Sequence, residues 1–236
     1  MSGTVEGATA PSGTTAGVPT TPGPLSHRQV LIVFSGLMAG LLLAALDQTI
    51  VATALPTIVG ELGGLDHYSW VVTAYLLSST VSTPLYGKIS DIYGRKAVFQ
   101  TAILIFLAGS LLAGLAQTMV QLILCRGLQG AGAGGLMAMA FAVVGDVVSP
   151  RERGRYTGYL GSVFAFASVV GPLVGGFIVD HVSWRWVFLI NLPVGAMAFD
   201  VTSRVLTLPV VRRSHRIDVE GAVLLVAGVS CLLLAV

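Results

Sequence analysis

The chain has 236 residues, 54% of them hydrophobic and 10% charged, with a formal net charge of +2 and a mean hydropathy of +0.85. A soluble domain carries roughly 25% charged residues, so this chain cannot coat a water-facing surface and reads as an all-α integral membrane protein. No basic stripe with a readable motif is present, which excludes nucleic acid as an expected partner.

Residues 1–28 open the chain as Gly, Ser, Thr, Pro and Ala with little charge. Such a segment cannot bury a core and is expected to be a disordered cytoplasmic tail. It lacks the basic start and apolar stretch of a signal peptide. A spanning helix needs about 20 mostly apolar residues. Seven candidate spans follow, over 29–53, 68–87, 97–116, 119–145, 156–179, 185–203 and 219–236. With the N-terminus in the cytoplasm, eleven Lys and Arg residues fall inside, and Arg185 alone lies at an outer boundary. Trp70, Trp184 and Trp186 then lie at outer span ends, as an aromatic belt would place them.

The segments GKISDIYGRKAVF (87–99) and GFIVDHVSWRWVF (176–188) share Gly, Ile, Asp, Val and Phe at equal spacing, with Lys96 matched by Arg185. Three spans separate the copies, so they lie on opposite sides of the membrane, as in an inverted repeat of two three-helix units. The expected domains are a six-helix bundle (29–203), a basic cytoplasmic loop (204–218) and a seventh span (219–236). That span is barely long enough and stops without a cap or polar tail, so the chain reads as the front part of a longer protein.

Asp47 is a lone carboxylate after an apolar run, roughly 25 Å along span one from its cytoplasmic end at 1.5 Å per residue. Two readings stay open for it. It is a helix-end residue wetted at the outer interface, or it faces a water-filled cavity and exchanges protons there. Arg126, the one basic residue wholly inside a span, lies at similar depth and cannot shed its proton. Asp47 is its natural partner, either as a static pair or as one that opens on protonation and hands Arg126 to Gln129 or to a substrate.

Gly127, Gly130, Gly132, Gly134 and Gly135 follow in span four, and no Lys-Ser/Thr makes them a phosphate loop. In a membrane helix they permit close approach. Span five repeats the device with Gly158, Gly161, Ala165, Ser168, Pro172 and Gly175 on one small-residue face, read either as static packing or as a sliding interface. The loop carrying Gly87, Asp91, Gly94, Arg95 and Lys96 anchors the positive side. Asp91, Arg95 and Lys96 are expected to form an ion-pair cluster that Asp146 joins, able to latch one conformation.

Together these residues resemble the major facilitator superfamily. GKISDIYGRK is similar to its signature between spans two and three, through Gly87, Asp91, Gly94, Arg95 and Lys96. RGLQGAG is similar to the proton-coupling signature of span four, through Arg126, Gln129, Gly130 and Gly132. GPLVGG is similar to the antiporter signature of span five, through Gly171, Pro172, Gly175 and Gly176. LDQTIVATALP is similar to the first span of the fourteen-span drug:proton antiporters, through Asp47, Thr49, Ala54, Leu55 and Pro56; SWRWVFLINLPVG has the look of that branch's sixth span.

The resemblance implies a two-half transporter working by alternating access, with its C-terminal half outside this chain. Its expected partners are protons, a small drug-like or amphipathic substrate and the lipid bilayer; no cofactor or metal is expected. Export of an endogenous metabolite such as an antibiotic or siderophore is the alternative substrate reading, and an inactive half-bundle is a third. An enzyme is disfavoured, because His27, His67, His181 and His215 lie in unrelated loops with no nucleophile–base pair. Cys125 and Cys231 read as small packing residues. Eleven Arg against two Lys, with abundant Ala, Gly and Val, points to a GC-rich bacterium and its cell membrane. Asp47→Asn in the complete protein is expected to abolish proton-driven efflux while leaving folding intact; normal efflux at normal expression would remove Asp47 from the mechanism.

Overall fold

The structure is a computed structural model that describes residues 27–205, together with Leu224, Ala227, Gly228 and Cys231. The expected tail, basic loop and seventh span lie essentially outside the described residues. Seven α-helices are present among those described: α1 (His27–Leu62), α2 (Tyr68–Tyr93), α3 (Arg95–Gly114), α4 (Met119–Val147), α5 (Arg153–His181), α6 (Arg185–Leu189) and α7 (Asn191–Val205). A 3-10 turn, Leu65–His67, joins α1 to α2. Helices α6 and α7 together make the sixth crossing.

Local sequence sets most of these boundaries. Helix α4 begins after Thr118, whose hydroxyl accepts the Gln121 amide at 3.3 Å, the N-cap of a T-x-x-Q start. The segment 88–96, expected to be a loop, is helical almost throughout. Helix α2 runs to Tyr93 and α3 starts at Arg95, so the connection is Gly94 alone. Its φ of 90° and ψ of 146° are open to glycine and strained for other residues. The sixth crossing breaks at Ile190, because Pro193 has no N–H to offer the Leu189 carbonyl four residues back.

Contacts across the bundle fix which ends lie together. At one end Phe34 of α1 packs on Tyr156 of α5, with ring centroids 4.6 Å apart. Arg95 of α3 pairs there with Asp146 of α4, and the Lys96 ammonium donates to the Ser203 carbonyl of α7 at 2.5 Å. At the opposite end the Trp184 indole donates to Glu61 at 2.8 Å, and Arg185 donates to the Ala116 carbonyl at 2.6 Å and that of Gly114 at 3.1 Å. Six passes up and down are the result.

The pairing of helices is that of two exchanged triplets. Helix α2 packs chiefly on α4 and α5 chiefly on α1, so the second helix of each triplet lies on the first helix of the other. The echoed basic residues behave alike. Lys96, at the start of the third crossing, satisfies a carbonyl at the end of the sixth. Arg185, at the start of the sixth, satisfies carbonyls at the end of the third. Each places a cation at the negative end of a helix.

By length and composition five helices could cross a membrane, namely Leu31–Leu62, Arg95–Gly114, Met119–Val147, Arg153–His181 and Arg185–Arg204. Helix α2 is as long as they are but richer in hydroxyls. Several of those hydroxyls are satisfied within the bundle: Thr80 donates to Leu76, Thr83 to Ser79, and Ser82 reaches the Ala131 carbonyl of α4 at 3.2 Å.

The closely packed glycines of α4 divide between two neighbours, whereas a Cβ at Gly127, expected to permit close approach, would meet nothing within 4 Å. A Cβ at Gly130 or Gly134 would overlap backbone of α2 at Tyr75 or Ser79, and one at Gly132 would fall 2.5 Å from the Phe106 nitrogen of α3. The small-residue face of α5 divides too. Gly171 and Gly175 press on Thr49 and Ile50 of α1, whereas Gly158 and Gly161 have nothing within 4 Å and Ala165, Ser168 and Pro172 are exposed. Gly134→Val should therefore lower stability by about 1–3 kcal/mol or more through overpacking, while Gly161→Ala, in open space inside a helix, should raise it by about 0.4–1 kcal/mol. Thermal unfolding of both variants in detergent checks this; equal losses would refute the division.

Candidate functional site

Two hydrophobic cores fill the bundle. One holds Leu41, Ala44, Phe106, Ala133 and Ala198; the other holds Ile50, Ala113, Leu122 and Phe188. Between them, at the same level of each helix, lies a layer of buried polar side chains. Asp47 comes from α1, Ser110 from α3, Arg126 and Gln129 from α4, and Asn191 from the start of α7.

Asp47 is fully buried at 0% exposure and Arg126 nearly so at 1%. Nη1 of Arg126 donates to one carboxylate oxygen of Asp47 at 2.6 Å and to Oε1 of Gln129 at 2.8 Å. The other carboxylate oxygen accepts Nε2 of Gln129 at 2.8 Å and Nδ2 of Asn191 at 2.7 Å. Both amide nitrogens also reach the Ser110 hydroxyl, at 3.1 and 2.9 Å, and Ser110 donates onward to the Phe188 carbonyl at 2.9 Å. The Arg126 guanidinium stacks 4.1 Å from the centre of the Tyr75 ring. Its Nε is the one buried side-chain nitrogen or oxygen among the described residues without a hydrogen-bond partner. Every group facing the carboxylate is a donor, the arrangement that suits an ionised acid.

Of the two readings of Asp47, wetting at an interface is excluded by this burial. The expected water-filled cavity is also not open to it here. The neighbouring cleft is apolar, lined by Leu43, Leu46, Ile50, Val170, Val174 and Val194, and Asn191 stands between it and the carboxylate. Arg126 holds Asp47 and Gln129 at once rather than one or the other. Asn191 and Ser110 were not singled out as site residues. The signal for Asn191 was available, as an amide two residues before a proline within an apolar span; Ser110 gave none.

At the end of the bundle that carries Arg95, the ion cluster contains three residues rather than four. Arg95 meets Asp91 at 2.8 Å and Asp146 at 2.9 Å, and also reaches Ser90 and, at 3.4 Å, the Gly87 carbonyl. Lys96 does not join. One residue further along α3 turns its side chain by about 100°, and it faces α7. Gly94 serves the chain reversal, and Gly87 offers its carbonyl. In the span-five motif Gly171 and Gly175 touch α1, while Pro172 is exposed and a Cβ at Gly176 would meet nothing within 4 Å. Trp70 and Trp186 are exposed, at 44% and 53%, but Trp184 is buried at 1% and belongs to a core, with Glu61 taking its N–H.

Crossing helices in two exchanged triplets around a sealed carboxylate–guanidinium pair define a multi-pass membrane bundle of inverted-repeat type. The chain belongs to the major facilitator superfamily, whose sequence model, described as Major Facilitator Superfamily, matches residues 37–235. It is 44% identical over 203 residues to Multidrug resistance protein 3 of Bacillus subtilis, covering 86% of this chain and 40% of that protein. It is 45% identical over 213 residues to Multidrug transporter protein MdtP of the same organism, covering 90% and 39%. The chain thus spans about two-fifths of the length of these relatives. In fold it is similar to the human organic anion transporter MFSD10, with a TM-score of 0.70 at 20% identity over 83% of this chain and 53% of that one.

Removing one partner of a buried pair leaves an uncompensated charge and costs about 3–5 kcal/mol. Asp47→Asn is therefore expected to weaken folding as well as function. Asp47→Asn/Arg126→Gln should recover part of that loss in thermal unfolding. Strictly additive losses would show that the two side chains are not coupled.

Proposed function

We propose that the protein carrying this chain is a proton-coupled exporter of small drug-like or amphipathic compounds, of the fourteen-span drug:proton antiporter branch. The observation that carries this reading is the ionised-type carboxylate of Asp47, buried in an apolar bundle and held by Arg126 and Gln129. Arg126 needs a counter-charge at that position, and a carboxylate is one that a proton can cancel. A protonatable group isolated from water has a use where protons are moved.

The mechanism follows from the charges. Ionised Asp47 holds Arg126, and the polar layer clamps α1, α3, α4 and α7 together. A proton from outside neutralises Asp47, which weakens its hold on the guanidinium and loosens the layer. The bundle can then rock against a second half, and Arg126 and Gln129 turn to other acceptors. Arg95 with Asp91 and Asp146, together with Gly87 and Gly94, latches one state at the cytoplasmic end. The face of α5 around Gly171, Pro172, Gly175 and Gly176 provides the close-packed and bendable helix of the interface. In this reading the N-terminus is cytoplasmic and the membrane is the cell membrane of a bacterium. The two relatives named for multidrug resistance and transport support the substrate class.

Inside-out vesicles holding the complete natural protein should accumulate ethidium, a lipophilic cation, when an acid-inside gradient is imposed, and a protonophore should abolish the uptake. Uptake indifferent to the protonophore would sink the proton-coupled reading.

A further inference from the structure

We propose that Asn191 is the positioning residue that tells protonated from ionised Asp47, by turning its amide from donor to acceptor at the first residue of α7. The inference rests on Asp47 being a proton site.

The argument is an inventory of donors and acceptors. The carboxylate of Asp47 is met by three donors, from Arg126, Gln129 and Asn191. A protonated carboxyl carries an O–H and needs an acceptor in the same dry layer. The other polar groups of the layer already hold a partner. Oε1 of Gln129 holds Arg126 at 2.8 Å. The Ser110 oxygen receives two amides and gives its proton to the Phe188 carbonyl. The Tyr75 hydroxyl is directed at the Ala44 carbonyl, 3.5 Å away.

The amide oxygen of Asn191 accepts no hydrogen bond from the described residues, since both bonds of this side chain run through Nδ2, and Asn191 borders the apolar cleft, where its side chain has room to turn. A half-turn of the amide carries Nδ2 away from Asp47 and Ser110 and brings Oδ1 to the acid. Gln129 can make the same turn only after Arg126 has left its oxygen, whereas Asn191 has no such bond to break.

The position of Asn191 gives that turn a mechanical consequence. It follows the break at Ile190, and Pro193 two residues later leaves this part of the crossing short of a backbone hydrogen bond. In the ionised state the amide ties the start of α7 to α1 and α3 together; in the protonated state the tie to Ser110 is gone. The titratable groups facing Asp47 are Arg126 and Tyr75. To that level α3 and α7 bring only Ser110 and Asn191, and α5 brings the apolar Val170 and Val174.

Infrared titration of the complete natural protein in lipid reads the protonated carboxyl directly through its C=O band, and subtraction of Asp47→Asn assigns it. Asn191→Leu removes a charge-assisted bond from the ionised form and a neutral, weaker one from the protonated form. The band should therefore appear at higher pH than in the wild type, at the frequency of an acid lacking its acceptor. Asn191→Asp, of the same shape, covers failure of the leucine variant to fold. Two carboxylates this close cannot both ionise, so its band should persist to still higher pH. Wild-type position and frequency in whichever variant folds would overturn the role of Asn191 while leaving Asp47 a proton site. Absence of any Asp47-dependent band in the wild type would overturn the proposed function, and this inference with it.

Discussion

A guanidinium placed among hydrocarbon must have a counter-charge and a shell of polar partners, and most of this bundle is arranged to meet that demand for Arg126. A charged residue at mid-span costs about 2.5–3.5 kcal/mol on insertion scales. Asp47 supplies the charge, Gln129 an acceptor and Tyr75 a ring face. Those partners come from three helices, so the helices must approach closely. The approach explains the glycines of α4, since side chains at Gly130 or Gly134 would hold α2 away and with it Tyr75. The requirement to satisfy one cation thus reaches back into the composition of neighbouring helices.

The same demand divides the interior into an apolar storey on either side of a polar floor. Each storey is ordinary side-chain packing and is held as tightly as any protein core. The floor differs in kind, since its cohesion depends on the charge state of one acid. Satisfied polar networks in a dry interior are rigid, and partly satisfied ones are costly. A structure whose two apolar parts flank such a floor has one plane where cohesion rests on charge and hydrogen bonds rather than on packing.

The parts of this arrangement legible in the sequence were those that break a pattern. Asp47 and Arg126 are isolated charges in apolar runs, so hydropathy alone isolates them, and their depths put them level. Gln129 came with the motif around Arg126. Ser110 and Asn191 break nothing, because uncharged polar residues are common in spans, and only the packing of α3 and α7 beside α1 shows their use. Whether Arg95 or Lys96 meets the acids depends on helical phase, which a charge-dense, glycine-containing stretch such as 88–96 does not display in its hydropathy. Trp184 was read as a belt residue from its place at a span end. It is instead turned inward, at the position of the second repeat that corresponds to Arg95 in the first.

Helix α2 carries a lesson in counting. Its serines and threonines make it too polar to register as a crossing by hydropathy, yet it crosses the bundle and its hydroxyls are answered by its own turns and by α4. Overlooking one crossing shifts the tally from even to odd. Every later connection would then be assigned to the wrong side of the membrane, and Tyr156 would be separated from Phe34 by the thickness of the bilayer, although the two rings are in contact. A handful of hydroxyl groups on one helix therefore decides whether the whole chain is drawn right way up.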